Sequence, residues 1–201
     1  MGKASEGSKG VKHADPAKAS GELIRSIAEK AKVQPKGVKA SLDPKILNEI
    51  KRRVADDFEV ISDLLGGSRT LGSAIESELE AHKLLDRGLP RGAVTSLIEN
   101  LHDIPVIEVS EALGISPRTL QRHKITPVEL LDVQQSGRAW KFAVILAKAT
   151  RVLGSQDEAE QWLRRPAIGL DQERPVDLLT TPAGVKLVED YLGRLEYNVY
   201  T

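Results

Sequence analysis

From position 41 onward the chain carries apolar residues at intervals of three and four: Leu42, Ile46, Leu47, Ile50, Val54, Phe58, Ile61, Leu64 and Leu65. That period is the stripe of an amphipathic helix. Pro44 is tolerated near its start, and Gly66-Gly67 stops it. A second helix is predicted over 71–86, closing at Gly88 with Pro90 behind it, and a third over 91–101. Further on, Trp140, Val144, Ala147 and Val152, broadened by Phe142, Ile145, Leu146 and Ala149, mark a long helix that begins at Ser136 or Gly137 and ends at Gly154. Ser155 with Glu158 three residues later is a capping box that opens a helix through Ala159, Trp162 and Leu163 to Pro166. Pro175 opens a short turn backed by Val176, Leu178 and Leu179. A cap at Thr180/Thr181 and Pro182 then leads to a last helix over 183–197, carrying Val185, Leu187, Val188, Leu192 and Leu195. No stretch alternates with the period of two that a surface strand requires. The predicted fold class is all-α.

The chain divides into three parts. Residues 1–40 form a flexible basic arm, with a short helical pattern over 21–33 (Leu23, Ile24, Ile27, Ala31) and a linker over 34–40. Residues 41–124 form a helical domain, and residues 125–201 a C-terminal helical domain whose entry segment offers Val128, Leu130 and Leu131 for packing. Hydrophobic residues make up 40% of the chain and charged residues 29%, a globular balance rather than a disordered one. With only two Trp, two Phe and three Tyr, the core has to be built from Leu, Ile, Val and Ala; Trp140 and Trp162 are expected to anchor it.

Net charge is zero, but it is unevenly spread: residues 1–40 hold nine Lys/Arg against four Asp/Glu, and residues 41–80 five against nine. Any contact with a nucleic acid must therefore be local or rely on dimerisation, since the whole-molecule field offers little steering. Cysteine is absent, which excludes disulfides and thiolate metal sites. His13, His82, His102 and His123 lie far apart and form no metal-type pair, so no metal and no cofactor is expected. There is no apolar run of membrane-spanning length, and the first twenty residues lack the apolar core of a secretion signal; a cytoplasmic protein is expected.

The most specific local pattern is PVIEVSEALGISPRTLQRHK, residues 105–124. Pro105 suits a first helical turn, and Val106, Val109 and Leu113 follow on one face. Gly114 stands where a tight inter-helix turn needs positive φ, and Ile115 points back inward. Ser116 is an N-cap, Pro117 a first-turn residue and Leu120 the apolar anchor of the second helix. Small Ser110, four residues before the glycine, lets the two helices cross closely. This is a helix-turn-helix signature. With Leu120 buried, Arg118, Thr119, Gln121 and Arg122 are the candidates to face a major groove, where Arg reads guanine and Gln adenine. Lys124 is a candidate DNA contact just beyond, and His123 is placed for a phosphate or for nothing. A structural or dimer-forming role remains the plain alternative for such a pair.

No nucleophile elbow, phosphate loop or paired catalytic carboxylate is present: Gly66-Gly67-Ser68 lacks a following Lys, and Asp56/Asp57 and Asp157/Glu158 read as solvated helix faces or dipole-favouring charges. The chain is expected not to be an enzyme. Arg164, Arg165 and Arg174 read as helix stabilisers or as a clasp for an acidic partner. Tyr197, Val199 and Tyr200 place apolar bodies at a terminus that is ordinarily polar, so the tail either folds back or docks into a partner.

Residues 158–201 resemble the toxin-binding domain of antitoxins in the Xre/MbcA/ParS group. Ala159, Trp162, Leu163 and Pro166 match its first segment; Leu170, Pro175, Leu178, Leu179, Thr181 and Gly184 its middle; Val188, Leu192, Arg194 and Leu195 its last helix. Asn198 stands in place of a glycine, and the loop over 168–174 lacks a Gly-Gly pair. The stretches Arg87-Gly88-Leu89-Pro90, Leu113-Gly114-Ile115-Ser116 and Arg118-Thr119-Leu120, with Arg122 and Lys124, are similar to the group's N-terminal module. The resemblance implies an antitoxin of a type II pair whose partner is a RES-domain toxin that uses NAD, degrading it or transferring ADP-ribose. It also implies autoregulation through operator DNA, and a homodimer of antitoxin within a heterotetramer or larger complex. Together with the apolar tail, it makes Arg194, Tyr197, Asn198, Val199, Tyr200 and Thr201 the candidate toxin-binding residues. The competing readings are a stand-alone helix-turn-helix regulator with a ligand-sensing or dimerisation domain, and an adaptor whose helix-turn-helix is vestigial.

Overall fold

The computed structural model describes residues 44–196. The readings made for 1–43 and for 197–201 lie outside the described residues. Among the described residues ten α-helices follow one another: α1 (Pro44–Leu64), α2 (Gly67–Leu71), α3 (Glu78–Arg87), α4 (Arg91–Glu99), α5 (Val106–Leu113), α6 (Pro117–His123), α7 (Val133–Leu153), α8 (Gln156–Arg164), α9 (Pro175–Leu178) and α10 (Pro182–Glu196), with a 3-10 turn at Ile168–Leu170 between α8 and α9. Among the described residues the only β pairing is a single bridge, Pro90 with Leu130.

The caps explain most of the boundaries. The helix expected over 71–86 starts only at Glu78, because Gly72 ends α2 in a left-handed conformation and Ser77 accepts the Glu80 N–H to start α3. The long helix starts at Val133 rather than at 136 or 137, because the Asp132 carboxylate accepts the Gln135 N–H at 2.7 Å. Ser136 is buried instead: its hydroxyl donates to the Asp132 carbonyl at 2.7 Å and accepts from the Leu89 N–H at 2.8 Å. Ser155 caps α8 on the Glu158 N–H, and Thr181 accepts the Gly184 N–H in the first turn of α10, as their spacing predicts.

The core is organised around α7, which packs against α1, α3, α5, α8 and α10. Ala139, Ala143 and Ala149 are fully buried beside Phe142, Ile145 and Leu146. Small residues let the neighbouring helices approach while the larger ones fill between them, and a helix apolar on so many sides is stable only when surrounded. Trp140 anchors one end, its ring 6.3 Å from that of Phe58.

Residues 126–131 run beside the start of α4. The Leu131 N–H donates to Leu89, Arg91 to Glu129 and Gly92 to Pro127, at 2.8, 2.7 and 2.9 Å. The Arg91 guanidinium also bonds the Thr126 hydroxyl at 2.9 Å and the Glu129 carboxylate. Leu131 is buried, but Val128 and Leu130, expected to pack with it, are exposed, because backbone pairing and not side-chain burial holds this segment. Val106 and Leu187, expected on core faces, are also exposed.

Two polar groups inside the fold were not anticipated. Glu160 on α8 is fully buried. Its carboxylate accepts the backbone N–H groups of His102, Asp103 and Ile104 at 2.9, 2.6 and 3.2 Å, and the Gln156 amide at 2.7 Å. One side chain thus satisfies three donors of the loop that leads into α5. His123 is also buried, at 2% exposure, with its Nδ1 unpartnered, which rules out the phosphate contact considered for it. Burial lowers its pKa, Arg91 and Arg122 nearby lower it further, and Glu129 opposes them.

Charge-assisted bonds of the Glu160 kind contribute about 1.5–3 kcal/mol each, and unmade buried donors cost as much. Glu160→Gln should lower stability by about 2 kcal/mol and Glu160→Ala by about 3 kcal/mol in urea unfolding. His123 gives a pH signature. It is neutral in the fold and binds a proton more readily when unfolded, so its contribution is present above about pH 6.5. That contribution is lost as pH falls through its lowered folded value. Exposed His102 acts with the opposite sign: its Nδ1, 2.7 Å from the Asp157 carboxylate, has a raised pKa, so its share is present at low pH and fades as pH rises through that value. As pH falls from about 7 to 5, the native chain should lose more of its unfolding midpoint than His123→Leu does, the His102 share being common to both.

Candidate interaction surfaces

The segment 105–124 forms the pair of helices its pattern predicts. Gly114 ends α5 at φ 65°, and the N–H groups of Gly114 and Ile115 return to Glu111 and Ser110 at 3.1 and 3.0 Å. Ser116 accepts the Thr119 N–H at 3.2 Å, and Pro117 occupies the first turn of α6. Leu113, Ile115 and Leu120 are buried together with Ser110, whose hydroxyl donates to the Ile107 carbonyl at 2.8 Å. These apolar residues orient the rest of α6. Arg118, Gln121 and Arg122 are exposed at positions i, i+3 and i+4, one outward face. Thr119 is half-buried, its hydroxyl 2.9 Å from that of Ser116. Lys124 is exposed just past the helix, its Nζ 3.7 Å from a Glu99 carboxylate oxygen. The expected set is thus split: three side chains share a face, one is occupied in the cap, and one lies beyond the helix.

A second surface lies on the C-terminal helices. Trp162 of α8 stacks on Tyr191 of α10 with ring centroids 6.0 Å apart and planes 5° from parallel. The Arg194 guanidinium lies 5.6 Å from the Tyr191 ring centroid, a cation–π arrangement. Gly169 in the 3-10 turn is required by this stack, since a Cβ there would stand 2.1 Å from the Tyr191 ring. Ile168 and Leu187 are exposed at 83% and 55% in the 3-10 turn and on α10. Trp162, expected in the core, is half-buried and belongs to this stack. Tyr191 was missed, although its place between Leu187 and Arg194 at helical spacing was visible. Of the expected toxin-binding residues only Arg194 is described; Tyr197, Asn198, Val199, Tyr200 and Thr201 lie outside the described residues.

The three arginines considered as a clasp are all engaged within the chain. Arg174 forks onto Asp177 at 2.7 Å and reaches Glu108 on α5 at 3.2 Å, bonds that raise its pKa. Arg164 donates to the Asp103 carbonyl at 2.9 Å and lies 3.4 Å from Glu108. Arg165 bonds the Gln161 side chain at 2.8 Å. Asp171 and Gln172, where the expected glycine pair is missing, both adopt positive φ, 54° and 66°. The loop therefore keeps a left-handed course without glycine, at a local cost.

A groove of about 420 Å³ runs between α7 and α10, floored by Phe142, Leu179 and Val185 and rimmed by Arg138, Lys141 and Glu189. Among the described residues no group of three His, Asp or Glu side chains is placed to hold a metal ion. No described helix is long and apolar enough to cross a membrane.

Comparison with known proteins matches two segments of the chain. Residues 80–144 match the antitoxin Xre-like helix-turn-helix domain. Residues 148–197 match the antitoxin Xre/MbcA/ParS C-terminal toxin-binding domain. An all-α helix-turn-helix module is thus followed by a smaller helical domain, and neither is of a catalytic type. Three relatives carry the name antitoxin Xre. The one from Yersinia enterocolitica is 31% identical over 114 residues, 55% of this chain and 76% of its own. The one from Photorhabdus laumondii is 26% identical over 132 residues, 65% and 88% of the two chains. The one from Pseudomonas putida is 30% identical over 118 residues, 59% and 72%. Both helical modules and the relatives that share them agree: the chain belongs to the Xre/MbcA/ParS family of antitoxins.

Proposed function

We propose that this chain neutralises a RES-domain toxin that uses NAD and represses its own operon by binding operator DNA. The observation that carries the reading is the pairing, in one chain, of an α6 with three polar side chains on one outward face and a toxin-binding-type domain. That domain displays an ordered Trp162–Tyr191–Arg194 stack flanked by exposed Ile168 and Leu187. Partly exposed aromatic and exposed arginine side chains held on rigid helices are the usual anchors of protein interfaces. Neutralisation then needs no chemistry from this chain, only a surface that stays bound and keeps substrate out of the toxin's cleft.

In this reading Arg194 and the tail, Tyr197, Asn198, Val199, Tyr200 and Thr201, enter that cleft. Arg118, Gln121 and Arg122 read base edges, while Thr119 and Lys124 support the approach to the backbone. The partner is encoded in the neighbouring reading frame, and co-expression with that frame should give one copurifying complex with suppressed NAD consumption. A stand-alone regulator would give neither.

Two substitution experiments separate the two activities. Arg118→Ala with Arg122→Ala should weaken binding to the DNA upstream of the chain's own reading frame by at least about tenfold, since each base contact contributes about 1–3 kcal/mol, and should leave toxin inhibition intact. Unchanged DNA affinity would remove α6 as the reader. Deleting residues 198–201 should restore NAD consumption by the bound toxin without changing DNA affinity. Full inhibition by the truncated chain would end the tail mechanism.

A further inference from the structure

The groove between α7 and α10 has no part in either proposed activity. Its volume of about 420 Å³ lies within the range of about 300–1,000 Å³ usual for small-molecule sites. Phe142 and Leu179 in its floor are buried, Val185 is half-buried, and Val133 at its mouth is 57% exposed. Phe142 belongs to the segment matched to the helix-turn-helix domain, whereas Leu179 and Val185 belong to the segment matched to the toxin-binding domain. The groove therefore spans the seam between the two modules, a place where ligand sites concentrate.

The charges around it do not cancel. Lys141 on one rim is neutralised by Glu189 at 2.7 Å. Arg138 on the other rim is half-buried, and among the described residues it has neither an ion pair nor a hydrogen bond. Packing fixes its place instead: a Cβ on Gly114 would stand 2.2 Å from its Nη1, so the guanidinium rests against the turn between α5 and α6. The C-terminal dipole of α5 favours a cation there. It does not occupy the donors of the guanidinium fork. One positive charge with its donors open thus borders an apolar trough.

We propose that this groove binds a small amphipathic carboxylate, its head on the Arg138 guanidinium and its aliphatic body over Phe142, Leu179 and Val185. A planar fork of N–H donors matches a carboxylate with two parallel bonds. A single unmatched cation also balances a monoanion, whereas a phosphate monoester, close to doubly charged at neutral pH, would bring a second negative charge near Glu189. Size favours a small molecule over a partner's helix, since one turn of a helix about 10 Å across already fills about 420 Å³. The site rests on neither the toxin reading nor the operator reading.

The test is titration of the full 21.9 kDa chain with decanoate, followed by amide chemical shifts in heteronuclear NMR. Saturable shifts centred on Gly137, Thr180 and Val185 are expected, with a dissociation constant of about 1 mM or tighter. Octanoate, shorter by two methylenes, should bind about tenfold more weakly. Decanol, which lacks the charge, should bind at least about tenfold more weakly than decanoate. Arg138→Gln should lose about the same factor for decanoate and none for decanol, a split that a general loss of structure would not produce. Val133→Asp alters a side chain that already faces water and sets a like charge at the mouth, so it should weaken decanoate selectively should the arginine variant not fold. Absence of saturable shifts up to about 10 mM decanoate overturns the proposal. So do shifts centred elsewhere, equal affinity for decanol, or a folded Arg138→Gln chain that binds decanoate like the native one.

Discussion

The fold depends on the removal of one helix from water. Along α7 the buried positions run from Ser136 through Ala139, Trp140, Phe142, Ala143, Ile145, Leu146 and Ala147 to Ala149, so no single face could be left open. Burial of this apolar surface is the main source of favourable free energy available to a chain without cysteine. Apart from α1, the helices around α7 have fifteen residues or fewer, α5 and α8 under ten, and would not persist alone in water. They are helical because they close over α7 and over one another.

A second constraint is polar and joins the helix-turn-helix to the C-terminal helices. Glu160 organises the loop before α5 from the side of α8, while Glu108 on α5 accepts a hydrogen bond from Arg174 in the loop before α9 and forms an ion pair with Arg164 at the end of α8, 3.4 Å away. Charges of opposite sign placed this way offset one another, so partial burial carries no unmatched charge. The consequence is directional: α5 cannot tilt without breaking bonds in the segment matched to the toxin-binding domain.

What could be read from the sequence follows the range of the forces involved. Caps act over three residues, so Ser116, Ser155 and Gly114 announced their structures locally. Period-based reading found the buried face of α6 and, by elimination, its outward side chains Arg118, Gln121 and Arg122. It failed where partners are remote. Glu160 looks like one more surface acid on an amphipathic helix until the loop 56–58 positions earlier is placed against it. Leu187 and Val106 fit their helical stripes yet face outward, because a stripe wider than the available contact leaves residues at its edge. Val128 and Leu130 were read as packing residues for the same reason, when main-chain bonds had already settled where they point.

The division of the chain between two matched segments has a mechanical side. The helix-turn-helix match ends at residue 144 and the toxin-binding match begins at 148, both inside the unbroken α7, so there is no hinge at the seam. A 21-residue helix is a rod of about 30 Å with no swivel in it. A partner held by the C-terminal helices and a duplex held by α6 would keep a set separation and a set orientation. The spacing between neighbouring loaded molecules would then be decided by geometry alone, so that bulky cargo on adjacent sites either fits side by side or collides.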